Sequence, residues 1–283
     1  MHFALSRRNC LQVCRHFSEI NPNEVVILFD KGKQLVKVSK YALCGASRFF
    51  AQLLDGPFLV GSMQLGDLHT HLILDQDHGL TRCIRLRDDF PYAITTMFHF
   101  IETGNYMFDQ RAFTAYPLLT ALDFHVHAYL VGGKYGLGAL QELAMNAYLG
   151  IAEHEIKLGF LATSSAQLSD AQIHVTGFPV ILPADEAADG ENTVTSIDRF
   201  LNSLVLLWRN TQPRFDALCK AVLELIKRNL NKLLQVPFFV TVMKEVVGFG
   251  DDVVASLGDD GFEVKAFQVP QGARVNQTVR FEV

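Results

Sequence analysis

Long apolar runs are missing from this sequence, although 49% of its 283 residues are hydrophobic. No run approaches the roughly 18 apolar residues that a membrane span needs. Arg7 and Arg8 near the N-terminus are not followed by a long apolar stretch, so we expect no secretory signal. The sequence therefore predicts a globular chain without a membrane partner.

The first 18 residues have two interpretations. Met1 to Ser18 contains arginines and no acidic residue, which is typical of mitochondrial transit peptides. The alternative is an ordered helix, because Cys10, Val13, Cys14 and Phe17 lie on one helical face. Such a face predicts either a surface for self-association or packing against its own domain.

Paired cysteines and a large charge excess are also missing. The five cysteines are an odd number at irregular spacings, which is typical of reduced thiols in a cytoplasmic or nuclear protein. Twenty-five lysines and arginines against thirty acidic residues leave a formal charge of -5. This balance predicts no nucleic-acid partner.

The motifs of the common enzyme classes are absent as well. The sequence contains no nucleophile elbow, Walker loop, dinucleotide fingerprint or zinc-protease helix, so we expect no catalysis and no cofactor. Gly132, Gly133 and Gly136 lie within a predicted helical hairpin rather than after a strand, which favours a turn over a phosphate site. His125 and His127 are two residues apart on a helix, so their side chains diverge.

One segment has a dense set of metal-type ligands. His69 and His71 would share a face of a strand, and Asp75, Asp77 and His78 follow them. They support a hypothesis from another class, a metal-dependent enzyme. The alternative is a solvated polar loop, because no cysteine is nearby and the spacing dictates no fourth ligand.

Hydrophobic periodicity predicts the elements of the first half. Val25 to Phe29 and Leu35 to Val38 predict a hairpin, and Ser47 is expected to cap a helix that ends before Gly56. Residues 56–82 are predicted as a long loop or insertion with a short strand at Leu72 to Leu74. Further on we expect a strand at Ile84 to Leu86. The next helix is expected to be capped by Asp88 or Asp89, to have Pro91 in its first turn and to end at Gly104. A helical hairpin is expected to follow it.

Large apolar side chains on the inner faces of these elements are expected to form the core, each contributing about 1.5 to 3 kcal/mol when fully buried. They are Phe49, Phe50, Ile94, Met97, Phe98, Leu140 and Leu143.

The sequence predicts three parts. Residues 1–155 form a first domain with an N-terminal helix and an insertion near 59–82. Residues 156–195 form a linker, because much of this segment is rich in Ser, Asp, Gly and Ala. Residues 196–283 form a helical region, with helices at Ile197 to Trp208, at Phe215 to Ile226 and after Pro237, and a terminal β segment at Val279 to Val283.

Several segments resemble a BTB/POZ domain, over roughly Leu11 to Glu155. Val38 to Leu43, followed by Ser47, Phe49 and Phe50, is similar to that family's Val-His-Lys-x-x-Leu and Ser-x-Phe-Phe elements, although Ser39 stands where the family usually has His. Gly56-Pro57-Phe58 is similar to its Gly-x-Phe. Other similar segments are Ile84 to Pro91, Ile101 to Tyr106, and Lys134-Tyr135 with Leu140.

The resemblance implies an α+β protein with a BTB/POZ fold, a short β-sheet flanked by α-helical hairpins, followed by a mostly helical C-terminal region like that of fungal BTB proteins. It implies a non-catalytic interaction module that self-associates and binds other proteins. The more specific expectation is a substrate adaptor for a cullin-type ubiquitin ligase. The alternative is a dimerising scaffold or transcription-linked regulator without a cullin, and Phe58-Leu59-Val60 lacks the acidic residue that cullin-binding members have.

The candidate residues fall into two sets. The candidate interaction residues are Cys10, Val13, Cys14, Phe17 and Phe58. The residues expected to stabilise the fold through family motifs are Lys40, Leu43, Ser47, Phe49, Phe50, Thr103, Gly104, Lys134, Tyr135 and Leu140.

Overall fold

The computed structural model describes residues 23–55, 73–74, 82–163, 195–213 and 215–259. It is a mixed α and β structure in which most described residues are helical. The chain divides into two units, and the division falls between Ala147 and Tyr148. Within the described ranges, no helix has the length and apolarity needed to cross a membrane.

The first unit contains a small sheet and the helices that follow its strands. Its elements, in chain order, are β1 (Glu24–Phe29), a 3-10 turn (Asp30–Gly32), β2 (Gln34–Ser39), α1 (Lys40–Ala46), α2 (Arg48–Asp55), β3 (Ile73–Leu74), β4 (Arg82–Arg85), α3 (Pro91–Thr103), α4 (Arg111–Ala115), α5 (Ala121–Lys134) and the start of α6 (Gly138–Thr163).

β1 lies inside a four-stranded sheet of order β2-β1-β4-β3. It pairs antiparallel with β2, with Val25 opposite Val38, and parallel with β4, with Ile27 opposite Ile84. Its apolar side chains from Val25 to Phe29 are all buried, as expected for a strand with neighbours on both edges and apolar residues on both faces. The predicted hairpin and the short strand near Ile73 are confirmed.

The core of the first unit forms where α3 packs near the sheet. The rings of Phe29 on β1 and Phe98 on α3 lie 6.2 Å apart. Ile94 and Met97 on the same helix are fully buried. Pro91 is in the first turn of α3, and Gly104 ends the helix with a left-handed φ of 71°, so both predictions are confirmed.

The predicted cap of α3 was wrong. Phe90, not Asp88 or Asp89, precedes the helix, and no side chain caps it. Asp88 adopts a left-handed backbone with φ 63°. Asp89 is not available for the cap because its carboxylate binds Lys134 and Tyr135.

The glycine-rich segment is the turn between α5 and α6, as predicted. Gly136 has φ +68°, a conformation that glycine adopts without strain. A Cβ on Gly132 would stand 2.9 Å from the backbone nitrogen of Gln141. Gly132 therefore lets the two helices approach closely.

One member of the predicted core was wrong. Phe50, Ile94, Met97, Phe98 and Leu140 are buried, and Phe49 is half-buried. Leu143, in contrast, is 41% exposed on α6. The buried face of this helix contains Leu140, Ala144 and Tyr148 instead.

All the elements of the second unit within its described residues are helices. It contains the rest of α6, α7 (Ser196–Asn210), α8 (Ala217–Leu233), α9 (Pro237–Glu245) and α10 (Phe249–Asp259). α6 continues to Thr163, so the first residues of the predicted linker are helical. The prediction of a helix from Phe215 was wrong at its start, because Phe215 is 82% exposed and α8 begins at Ala217.

Polar caps and aromatic contacts order these helices. Thr195 and Asp198 form a capping box at the start of α7, and the Asp216 side chain accepts from the backbone N–H of Cys219 on α8. The Trp208 ring meets Phe249 edge to face at 4.8 Å, and its Nε1 donates to Asp252 at 3.0 Å. These contacts hold the end of α7 against the start of α10.

Candidate functional site

The candidate interaction residues Cys10, Val13, Cys14, Phe17 and Phe58 lie outside the described residues. The histidines and aspartates between His69 and His78 and the predicted strand at Val279 also lie outside them. The site can therefore be built from the motif residues of the first unit and from the surfaces of the described helices.

Three segments that are distant in sequence meet at the side chain of Tyr135. We define the Tyr135 junction as Ser47, Phe49, Phe50, Asp89 and the Lys134-Tyr135 pair. The ring of Tyr135 stacks on Phe50 at 5.6 Å and meets Phe49 edge to face at 5.2 Å. Such ring pairs add about 0.5 to 1.5 kcal/mol to the free energy of burial.

The Ser47 hydroxyl connects α2 to the end of α5. It donates to the backbone oxygen of Tyr135 at 2.5 Å and accepts from the backbone N–H of Phe50 at 3.2 Å. The second bond is the N-cap interaction expected of Ser47, because it satisfies a free donor in the first turn of α2. Ser47 is buried, so losing the hydroxyl would leave buried polar groups without a partner.

Asp89 is the polar centre of the junction. Its carboxylate accepts from the Lys134 ammonium at 2.8 and 2.9 Å and from the Tyr135 hydroxyl at 2.6 Å. Burial raises the pKa of Tyr135, and the negative charge of Asp89 raises it further. The phenol is therefore a permanent donor, and the junction connects the segment before α3 to the end of α5.

The remaining motif residues stabilise local structure. Leu43 and Leu140 are fully buried, and Lys40 forms an ion pair with Asp55. The Thr103 hydroxyl donates to the backbone oxygen of His99 at 2.8 Å and accepts from the N–H of Asn105 at 3.1 Å. These contacts place the residues in the scaffold, and none of them presents a reactive group.

Two buried histidines on α5 have different surroundings. His125 Nδ1 and the Tyr106 hydroxyl are 2.5 Å apart, whereas His127 stacks on Phe90 at 4.7 Å and its Nε2 has no hydrogen-bond partner among the described residues. Burial lowers the pKa of each imidazole to about 4. The two histidines do not form one site, as the spacing of two residues predicts.

Groups able to do nucleophilic or metal chemistry are dispersed in the described part of the chain. No three His, Cys, Asp or Glu side chains in those residues are grouped to hold a metal ion. Burial raises the pKa of the Cys219 thiol to about 12, so this sulfur is protonated at neutral pH.

Large apolar side chains lie on several exposed surfaces. In the first unit Tyr41 is 71% exposed on α1 and Leu118 is 56% exposed before α5. α6 exposes Leu143 and Leu158, and in the second unit Phe215 and Val247 are among the most exposed. Because they lie on different elements, these side chains are scattered singly, as is normal on a protein surface.

Sequence reasoning missed two parts of the site. Asp89 was expected to cap α3, because an acidic residue shortly before Pro91 is typical of a helix cap. The local sequence does not distinguish this role from the long-range contacts that Asp89 makes. The Tyr106 and His125 contact joins residues 19 positions apart, and no local periodicity indicates it. The sequence showed only that Tyr106 and His125 occur in an aromatic-rich stretch.

Comparisons with known proteins identify no family. No protein-family profile matches the chain, and no curated protein matches it significantly.

Proposed function

We propose that the first unit is a BTB/POZ-type domain and that the protein is a non-catalytic interaction module that self-associates and docks other proteins. The observation that supports this best is the Tyr135 junction. The residues that resemble the family's Ser-x-Phe-Phe, Asp-x-Pro and Lys-Tyr elements contact one another directly.

The topology of the first unit also supports the proposal. A hairpin is followed by the helices α1 and α2, and then by β4, which runs parallel to β1. Helices α3 to α6 follow. The resemblance implies a short β-sheet flanked by α-helical hairpins, and this order of strands and helices is compatible with it.

The more specific proposal is a substrate adaptor for a cullin-type ubiquitin ligase, in which Phe58 contacts the cullin. The test is a titration of the purified full chain with a purified cullin N-terminal domain, followed by calorimetry up to about 50 µM. We expect binding that Phe58→Ala weakens at least tenfold. Phe215→Ala, which truncates an exposed phenylalanine of the second unit, is the matched control and should leave binding unchanged.

The second candidate is a dimerising scaffold or transcription-linked regulator. It is favoured by Phe58-Leu59-Val60, which lacks the acidic residue of cullin-binding members. If the chain self-associates but shows no cullin binding at about 50 µM, the adaptor role is wrong and the scaffold role stands. Nuclear enrichment with chromatin proteins as partners would then support a regulator.

A further inference from the structure

Two tyrosine rings of the first unit meet beside the start of α3. Tyr92 is in the first turn of α3, and Tyr116 follows α4. Their ring centroids lie 6.0 Å apart at an angle of 88°, and both side chains are half-buried. Phe90 is buried and contacts the two rings at 5.7 and 5.4 Å. We define the aromatic corner as Phe90, Tyr92 and Tyr116, a packed group of rings that is partly open to solvent.

Asp30 lies at the same edge of the sheet as the aromatic corner. β1 and β4 run parallel, with Leu28 opposite Arg85, so the residues that follow the two strands leave the sheet at one edge. The N–H of Leu86 donates to the backbone oxygen of Leu28 at 2.8 Å, which keeps the two chain segments together beyond the last pair. Asp30 follows β1 directly, and Phe90 follows β4 after a short loop.

The Asp30 carboxylate acts on the aromatic corner and has no cation of its own. Burial raises the pKa of the Tyr116 phenol, and the charge of Asp30 and the neighbouring Tyr92 phenol raise it further. Asp30 is half-buried, and none of the hydrogen bonds or ion pairs found within the described residues uses its carboxylate. A negative charge therefore stands beside two phenols without a partner from the described chain.

The cations of this region do not neutralise that charge. The Arg111 guanidinium lies within electrostatic range of the corner, but it donates to the Asp109 carboxylate at 2.9 and 2.7 Å, which offsets its charge. Lys31 and Lys33 are exposed at the turn after β1, and neither is among the charges that shift the pKa of Tyr116. The local charge beside the rings therefore favours a cation.

A planar cation matches these groups best. Cations are attracted to the faces of tyrosine rings. A guanidinium can stack flat on an aromatic ring while its N–H groups bind a carboxylate in a paired geometry. The ammonium of a lysine is a point charge without a flat face. The combination of tyrosine rings and a carboxylate therefore favours arginine.

We infer that the aromatic corner and Asp30 together bind an arginine side chain of a partner protein. The inference rests on the proposed docking of other proteins, and it names the chemistry of one partner segment. Because the contact is small, a single arginine in a short peptide is expected to bind with a dissociation constant on the order of millimolar.

The test is an NMR titration of the full chain with 13C-labelled tyrosine rings. The probe is the peptide acetyl-Gly-Ser-Arg-Ser-Gly-amide. Its matched control has citrulline, an uncharged side chain of the same shape, in place of arginine. Spectra of Tyr92→Phe and Tyr116→Phe chains assign the two signals. We expect both signals to shift and saturate with the arginine peptide, and we expect the citrulline peptide to bind about tenfold more weakly.

One substitution removes the negative charge and keeps the rings. Asp30→Asn retains the shape of the side chain, and asparagine tolerates the left-handed backbone of this position, where φ is 50°. It should weaken binding of the arginine peptide about threefold. Asp251→Asn is the matched control, because it neutralises an exposed carboxylate on α10, and it should bind like the wild type.

A second substitution removes one ring and keeps the charge. Tyr116→Leu should weaken binding about threefold or more, because the cation loses a ring face. The matched control is Tyr41→Leu, at a tyrosine that is 71% exposed on α1, and it should leave binding unchanged. If Tyr116→Leu does not fold, the Asp30→Asn result decides.

Saturable shifts that prefer arginine to citrulline and weaken in Asp30→Asn would support the inference. It would be overturned if neither tyrosine signal shifts at about 20 mM peptide, or if the arginine and citrulline peptides bind equally. A failure of the proposed function would be distinct, because self-association and cullin binding are measured without the peptide.

Discussion

The Tyr135 hydroxyl and the Lys134 ammonium together connect the end of α5 to the segment before α3. Its bond to the Asp89 carboxylate is 2.6 Å long and partly buried. Tyr135→Phe keeps the ring that contacts Phe49 and Phe50 and removes only that bond. Since a hydrogen bond to a charged group contributes about 1.5 to 3 kcal/mol, we expect a loss of about 2 kcal/mol in the free energy of unfolding, measured by urea denaturation.

Tyr92→Phe is the control for this measurement. Tyr92 is half-buried, and none of the hydrogen bonds found within the described residues uses its hydroxyl. Its removal should change the free energy of unfolding by less than about 0.5 kcal/mol. Equal losses in the two variants would show that the Asp89 bond contributes nothing specific.

The unpaired nitrogen of His127 predicts a stabilising substitution. Nε2 is buried and finds no hydrogen-bond partner in the part of the chain that the structure describes, and such a group costs about 1 to 3 kcal/mol. His127→Phe removes it and keeps a ring that can stack on Phe90, so thermal unfolding should occur at a higher temperature. His125→Phe should have the opposite effect, because it breaks the contact with the Tyr106 hydroxyl. A lower unfolding temperature for His127→Phe would contradict this account.

The same histidines make the fold sensitive to acid. Burial lowers each pKa from 6.5 to about 4, so the unfolded chain takes up these protons at a higher pH than the folded chain. Their stabilisation is complete above pH 6.5 and is lost as the pH falls towards 4. Burial raises the pKa of Asp123 from 3.8 to about 6, so this group makes the fold more stable as the pH falls. It is a single group, whereas two histidines have the opposite effect.

The unfolding temperature should therefore fall between pH 7.5 and 5, and it should fall less in His127→Phe, which has lost one of the two groups. Differential scanning calorimetry of both proteins at the two pH values measures the difference. An equal fall in wild type and variant would show that His127 does not titrate in this way.

At the scale of elements, the turn between α5 and α6 depends on close approach at Gly132. A Cβ there would lie 2.9 Å from the Gln141 backbone nitrogen, so Gly132→Ala forces the helices apart. We expect a loss of about 1 to 3 kcal/mol in the free energy of unfolding, as for other overpacked sites. Gly138→Ala, where a Cβ would meet nothing within 4 Å, should be neutral or slightly stabilising.

The sequence predicted the elements whose signal is local. The short apolar runs of β1 and β2, Pro91 at the start of α3 and Gly104 at its end each act within a few residues, and all four predictions are confirmed. Short helices were missed, among them α1 and α4, because each has only one or two helical turns. Such helices depend on their neighbours rather than on their own periodicity.

The error at Leu143 has a physical cause. Leu140 and Leu143 are three residues apart on one helix, and both were predicted to lie in the core. α6 in fact has two apolar sides, and only the side with Ala144 and Tyr148 is buried. A pattern of hydrophobic residues shows that a surface avoids water, but it does not show whether the same chain or another one covers it.

At the scale of the whole molecule, little of the site could be predicted. The resemblance to BTB/POZ domains identified Ser47, Phe50, Lys134 and Tyr135 as motif residues. The structure places them together in the Tyr135 junction. The role of Asp89 could not be predicted, because its contacts to Lys134 and Tyr135 span 45 and 46 residues. Long-range contacts of this kind follow from the packing of helices on the sheet and leave no signal at a fixed spacing.

We propose that this chain acts by associating with other proteins, and first of all with a second copy of itself. Sedimentation velocity of the wild-type full chain from about 1 to 200 µM tests it most directly. We expect a reversible shift from a species of 31.6 kDa to one of twice that mass as the concentration rises. A single species of 31.6 kDa over the whole range would contradict it.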